Sequence, residues 1–314
     1  MADLGLRGKR IVKEMPILLC SDLDRTILPN GPWPESPAAR PLLRRLAARP
    51  ELRLAYVSGR DLGLLQAAIA EYAIPRPDYA IGDVGTTIYR LTGTDWQPLA
   101  AWQREIGRDW RGRKSHELAP LLADLAELRL QEPAKQKTYK LSYYTPARFQ
   151  SASAVNEAGS EPTAGEAAGD WQPDPAALLA AVEHRLQPAN IRARLVWSID
   201  EDRDCGLLDI LPARAGKLAA IHFLLAHLQL PPAAAVFAGD SGNDLDALGS
   251  ELNAILVANA PSEVRRQARE LVAAAGRPQT LYCATGNFRD LNGNYSAGVI
   301  EGLVHYHPQI ANWL

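Results

Sequence analysis

The chain offers little sulfur chemistry. Cysteine occurs three times in 314 residues, at Cys20, Cys205 and Cys283, and methionine twice. An odd, widely spaced set with no Cys-x-x-Cys pair argues against a disulfide framework or a structural zinc site, and fits a reducing compartment. Charge of one sign is also lacking. The 34 Lys and Arg nearly balance the 36 Asp and Glu, leaving a net charge of −2 and no global basic surface for nucleic acid. No apolar run approaches the ~20 residues needed to span a bilayer. The basic start (Arg7, Lys9, Arg10, Lys13) is followed by too short an apolar stretch for a secretory signal, and we read it as a short tail. Internal repeats are absent. The expectation is a cytoplasmic protein with no membrane and no nucleic-acid partner. Its 47% hydrophobic content suffices for a substantial core, in one large domain or two smaller ones.

What is present is an alternation of short apolar runs and helical patterns. Ile17–Cys20, Arg53–Val57, Asp78–Ile81, Ala234–Ala238 and Asn253–Val257 read as buried strands. Helices are expected from Ser36-Pro37 to about Ala48, after Asp61 as N-cap, over Ala215–Leu228 and over Pro261–Ala275. This rhythm implies a parallel sheet with right-handed crossovers. The middle of the chain breaks it. Residues 115–130 read as an amphipathic helix and Lys137–Tyr144 as an antiparallel strand. Residues 146–173 are rich in Ala, Gly, Ser, Glu and Pro and read as a mobile insert. A helix near 175–186 and strands near 191–199 and 206–211 complete a small α+β unit. The fold class expected is α/β: a Rossmann-like parallel-sheet core over 1–110 and 206–314, with an α+β cap inserted over 111–205.

Four polar elements fall where loops leave the C-terminal edge of the core sheet or open a helix, the place where open α/β sheets bind ligands. They are Asp22 with Asp24, Ser58, Lys217, and Asp240 with Asp244. Two carboxylates one residue apart repel unless a hard cation or a raised pKa compensates them. The chemistries suit phosphoryl transfer. Asp22 can attack phosphorus; Asp24 can protonate the leaving alkoxide and later accept the proton of a water. Ser58 can hydrogen-bond a phosphoryl oxygen. Lys217 can neutralise the transferring group and keep Asp22 ionised. Asp22 and Asp240 can bind Mg²⁺, with Asp244 a ligand or an acceptor that orients one. Gly216-Lys217 is not a phosphate-binding P-loop, because Leu218 stands where Ser or Thr is required. His305 with His307, and His222 with His227, are wrongly spaced to share a metal.

Together, Ser21-Asp22-Leu23-Asp24-Arg25-Thr26, Ser58-Gly59-Arg60, Lys217 and Gly239-Asp240-Ser241-Gly242-Asn243-Asp244 resemble the four motifs of the haloacid dehalogenase superfamily. More narrowly, Asp78–Tyr89, Lys140-Leu141-Ser142-Tyr143, Leu208–Pro212 and Val257-Ala258-Asn259-Ala260 resemble the sucrose-phosphate phosphatases, with mannosylfructose-phosphate phosphatases also similar. The resemblance implies an Mg²⁺-dependent phosphatase acting on a phosphorylated disaccharide, most simply sucrose 6-phosphate, through an aspartyl-phosphate. It implies Asp22, Asp24, Ser58 and Lys217 as catalytic residues, and a metal set of Asp22, Asp24, Asp240 and Asp244. Ser58, Gly59, Arg60, Lys140, Lys217 and Asn243 would contact the sugar phosphate. Association with a sugar-phosphate synthase is a further implication. The alternatives are another sugar or polyol phosphate as substrate, a phosphomannomutase-like mutase, which shares this core and nucleophile, and a non-catalytic module of a synthase, whose core would be expected to have lost acids where Asp22, Asp24 and Asp240 remain.

Overall fold

A computed structural model of the protein describes residues 15–150, 171–172, 174–200 and 203–314. In chain order it contains β1 (Ile17–Ser21), α1 (Ala39–Ala47), β2 (Leu52–Val57), α2 (Leu62–Glu71), β3 (Tyr79–Gly82), β4 (Thr87–Thr92) and β5 (Asp95–Pro98). Next come α3 (Ala100–Gly107), α4 (Ser115–Leu118), β6 (Arg129–Leu130), β7 (Leu141–Thr145), β8 (Phe149–Gln150), β9 (Trp171–Gln172), α5 (Ala176–Leu186), β10 (Ala193–Asp200) and β11 (Cys205–Pro212). The last part holds α6 (Lys217–Leu228), β12 (Ala235–Gly239), α7 (Leu245–Leu248), β13 (Asn253–Leu256), α8 (Ser262–Ala274), β14 (Leu281–Cys283) and α9 (Ser296–Tyr306).

Eight strands form one sheet in the order β14-β13-β12-β1-β2-β3-β4-β5. It is parallel from β14 to β3 and antiparallel at β4 and β5. The fold is therefore α/β with a mostly parallel central sheet, as the strand–helix rhythm implied. Both faces are covered, so the strands read as continuous apolar runs. Leu19, Leu54, Tyr56 and Val236 pack toward Leu43 and Leu46 of α1 and Val299, Ile300 and Leu303 of α9. Leu18, Cys20, Ala55, Val57 and Phe237 face the other way, toward Ile221 and Leu224 of α6 and Val264 and Ala268 of α8. That alternation by two is the pleat of each strand.

A second sheet, β10-β11-β7-β6, is antiparallel. Trp110, Leu141, Tyr143, Leu178, Val182, Leu208 and Ile210 form its own core against α5. Four expectations change. The helix expected over 115–130 is one short turn, Ser115–Leu118, followed by a tighter turn to Leu122; Pro120 cannot donate within a continuing helix. The strand expected from Lys137 begins at Leu141, because Lys137 and Lys140 close a turn on each other through their backbones. Residue 206, expected to open the returning core segment, lies inside β11, which pairs with β10 and β7 in the small sheet. Ser36 does not cap α1; its Oγ accepts the Asn292 N–H at 2.9 Å. Asp61 does cap α2, accepting the Leu64 N–H at 2.9 Å. Of the expected insert at 146–173, residues 151–170 and 173 lie outside the described residues. On its flanks β8 and β9 pair antiparallel.

Candidate active site

The sheet order turns around β1. The chain leaves β1 toward β2 and β3, then returns on its other side as β12 and β13. Crevices form at such a reversal. The C-terminal ends of three neighbouring strands meet there, bringing together Asp22 after β1, Ser58 after β2 and Asp240 after β12. The Asp22 N–H donates to Ala238 O at 2.9 Å, which extends the ladder one residue past β1 and fixes where Asp22 points.

Lys217, the first residue of α6, reaches into this crevice. Its Nζ donates to Asp22 Oδ1 and to Asp244 Oδ1, both at 2.8 Å. Asp244 is fully buried and uses its second oxygen too. Oδ2 accepts from the Asp240 and Ser241 N–H groups at 3.2 Å each and from Ser241 Oγ at 3.1 Å. Asp240 Oδ1 accepts from Thr26 Oγ1 at 3.1 Å, while its Oδ2 lies 3.9 Å from Arg25 Nε. Ligand oxygens of Asp22, Asp240 and Asp244 lie within 4.8 Å of one another.

Three buried carboxylates crowd together, with Lys217 bonded to two of them and Arg25 3.9 Å from the third, and the electrostatics register the excess. Burial, then the nearby Asp244, push Asp22 up to about 7 against the pull of Lys217. Burial and Asp244 push Asp240 up to about 6. Burial works against the charge on Lys217, but Asp22 and Asp244 outweigh it and raise its pKa. A hard divalent cation is what such an oxygen donor set accommodates.

The Asp24 carboxylate, expected among the metal ligands, lies outside this cluster of three. Arg60 holds both of its oxygens, Nε to Oδ2 at 2.9 Å and Nη2 to Oδ1 at 2.6 Å, and Asn30 Nδ2 adds a bond at 2.7 Å. Burial works upward on Asp24, but these partners prevail and hold it below the usual carboxylate range. A carboxylate so engaged has few lone pairs left for a cation.

The cleft above these groups has a volume of about 610 Å³. It is lined from the large sheet by Asp22, Asp24, Arg25, Ser58, Gly59, Arg60, Lys217, Asp240, Asn243 and Asp246, and from the small sheet by Arg194, Val196, Trp197, Ser198 and Asp209. Ser58 is buried, and its Oγ accepts the Arg60 N–H at 3.2 Å. Arg194 spans the two sides, with Nη2 3.2 Å from Asp246 Oδ2. Lys140 is not among the lining residues. It precedes β7 and pairs with Asp209 at 3.2 Å, while Ser142 Oγ donates to the other Asp209 oxygen at 2.6 Å. Asp209 lines the cleft, and Lys140, expected to contact the sugar phosphate, is its ion-pair partner.

The sequence alone assigns no site role to Arg25, Thr26, Asn30, Arg194, Trp197, Ser198 or Asp209. Two signals were available. Arg194, Val196 and Ser198 alternate along one strand and so share a face. Asp209 is a lone charge inside the apolar run Leu207-Leu208-Asp209-Ile210-Leu211.

A family model described as sucrose-6F-phosphate phosphohydrolase matches residues 15–158 and 172–307. A protein of Nitrosococcus oceani described as a HAD-like hydrolase is 50% identical over 298 residues, 95% of this chain and 74% of that one. The mannosylfructose-phosphate phosphatase of Agrobacterium fabrum is 29% identical over 293 residues, 92% of this chain and 96% of that one. The X-ray structure of a sucrose-phosphatase from Synechocystis sp., in complex with sucrose and phosphate, superimposes with a TM-score of 0.61 at 21% identity, covering 93% of this chain and 98% of that one, a likeness of fold. With strand ends that gather acids around one lysine and matches along most of its length, the chain belongs to the sucrose-6F-phosphate phosphohydrolase family of the haloacid dehalogenase superfamily, and is a phosphoric monoester hydrolase.

Proposed function

We propose that the protein hydrolyses a phosphorylated disaccharide, sucrose 6-phosphate first, through a covalent aspartyl-phosphate. The observation that carries this reading is the pairing of Asp22 with Lys217 at the floor of a cleft whose opposite wall comes from the small sheet. An Asp22 oxygen attacks phosphorus as the bond to the sugar oxygen breaks. Asp24 gives its proton to that oxygen, so the sugar leaves as an alcohol. Asp24 then takes a proton from water as the water oxygen attacks phosphorus, and the bond to Asp22 breaks to release phosphate. Lys217 and the Ser58 hydroxyl offset charge on the phosphoryl oxygens. In the resting site Arg60 keeps Asp24 ionised, the form that accepts a proton. To donate, Asp24 must exchange Arg60 for a proton taken from solvent, and an entering phosphate dianion competes for that guanidinium.

The donor set fits Mg²⁺. Asp22 and Asp240 would hold it; both Asp244 oxygens are already engaged, which suits Asp244 to orienting Lys217 and the Asp240 loop. When bound, Mg²⁺ supplies positive charge to the phosphoryl oxygens. We propose that the eight-stranded sheet with its helices is the catalytic part and the small sheet the substrate-selecting cap. A cytoplasmic place and association with a sugar-phosphate synthase belong to the same reading. Among the described residues, no helix is long and apolar enough to cross a membrane.

Phosphate release tests this. Sucrose 6-phosphate, mannosylfructose phosphate, trehalose 6-phosphate and hexose phosphates are assayed with Mg²⁺ and with EDTA. Turnover of a disaccharide phosphate at the highest kcat/KM, abolished by EDTA, is expected. Isomerised sugar phosphate without free phosphate would instead make the protein a mutase. No turnover of any ester would make it a non-catalytic module.

A further inference from the structure

Arg25 follows Asp24 with a left-handed backbone, φ 56°. That conformation is unfavourable for a residue with a side chain and persists only where neighbours enforce it. Two asparagine side chains do so. Asn30 Oδ1 accepts the Arg25 N–H at 2.8 Å, and Asn259 Nδ2 donates to the Arg25 carbonyl at 2.7 Å. Asn259 is 234 residues away in sequence, just beyond β13. Its other end is committed as well: Oδ1 accepts the Tyr295 N–H at 2.8 Å. Tyr295 is fully buried and also left-handed, φ 50°. The amide cannot be turned over, because a backbone carbonyl does not donate and an N–H does not accept.

One side chain therefore joins two unfavourable backbone positions. One borders Asp24; the other opens α9. The α9 end is firmly seated. Ser296 Oγ donates to Ile27 O at 3.1 Å, and Tyr295 Oη accepts the Trp33 N–H at 3.2 Å. We propose that Asn259 is a positioning residue for phosphate-ester hydrolysis. It holds the Asp22–Thr26 turn in the shape that aims the Asp24 carboxylate at the cleft, with the buried start of α9 as its anchor. This rests on the reading that Asp22 and Asp24 carry the chemistry. Without the Asn259 donor, Arg25 relaxes out of its left-handed shape and Asp24 is aimed correctly only part of the time. Ser58 and Lys217, which would contact the phosphate, are untouched.

The test is a double-mutant cycle on a small ester, p-nitrophenyl phosphate, with Mg²⁺. Asn259→Ala is expected to lower kcat roughly tenfold or more and to shift KM less than about threefold. Glycine adopts the left-handed shape without help. In an Arg25→Gly background the same substitution should therefore lower kcat by no more than about threefold, whatever Arg25→Gly does by itself. Asn259→Asp keeps the acceptor for Tyr295 and sets a carboxylate oxygen against the Arg25 carbonyl in place of the donor; it carries the test should Asn259→Ala not fold, and should lower kcat at least as much. An equal loss of kcat in both backgrounds, or a loss confined to KM, would overturn the positioning role. A folded wild type that hydrolyses no ester would sink the functional reading and this role with it.

Discussion

Asp22 and Asp24 are one residue apart in the chain and electrostatically opposite. Burial and Asp244 push Asp22 up to about 7, whereas the Arg60 and Asn30 bonds outweigh burial and hold Asp24 low. The neighbours supplied by distant segments decide which carboxylate is which, so this division cannot be read from Asp-x-Asp alone. Its consequence is testable. A carboxylate whose pKa is raised by folding is held in its charged form at a cost once the pH exceeds that raised value. Asp22→Asn removes that cost. In metal-free protein the variant should melt at or above the wild-type temperature at about pH 8, and show no such gain at about pH 5, where Asp22 is largely protonated already. With Mg²⁺ present it should lose about 10³-fold or more in kcat, because the amide cannot form the proposed covalent intermediate. Calorimetry and phosphate release check the two halves. A folded Asp22→Asn variant that retains more than a few per cent of activity would refute the nucleophile assignment.

The elements that the sequence made legible are those in which one local rule suffices. Buried parallel strands are continuous apolar runs, and Asp61 announces α2 by its cap. Legibility fails where tertiary pairing decides. β11 is apolar enough for either sheet, and only its partners β10 and β7 assign it. The turn after β3 shows the same limit. Asp83, Val84 and Gly85 are all left-handed, with φ of 52°, 59° and 89°. Val84 lines the cleft, and Gly85 packs on Gly216, the residue before Lys217. A Cβ on Gly85 would sit 2.4 Å from the Gly216 carbonyl carbon, in a backbone shape that disfavours it. Gly85→Ala is therefore predicted to destabilise by about 2–4 kcal/mol, and to lower kcat by displacing Lys217. Gly59, in the same cleft, has no atom within 4 Å of such a Cβ and no left-handed φ. Gly59→Ala should alter stability by less than about 0.5 kcal/mol. Thermal melts of the two variants decide; equal losses would mean that the Gly85–Gly216 contact does not set the turn.

At the scale of the whole molecule, acids on one sheet edge face polar groups from a second sheet, and each side sets a separate requirement. The acid cluster asks for a cation. Asp22 and Asp240 bind protons more tightly folded than unfolded, so metal-free protein should lose stability as pH rises from about 4 to about 7. Mg²⁺ must displace those protons to bind. Its stabilisation should therefore be larger at about pH 8 than at about pH 5, seen as a greater rise in melting temperature on adding Mg²⁺. A rise independent of pH would place the ion elsewhere. On the proposed reading, the small sheet selects the sugar. The phosphate is common to every substrate, so on that reading discrimination falls to groups across the cleft such as Asp209, Arg194 and Ser198. A polar group left unpaired there penalises the wrong substrate. Asp209 lines the cleft directly, whereas Lys140 only holds it from behind at 3.2 Å. Asp209→Ala should therefore raise KM for a disaccharide phosphate by about tenfold or more, and Lys140→Ala by less. Both should leave KM for p-nitrophenyl phosphate within about twofold. If Lys140→Ala proves the more damaging of the two, Lys140 itself meets the sugar, and Asp209 is the residue that serves it.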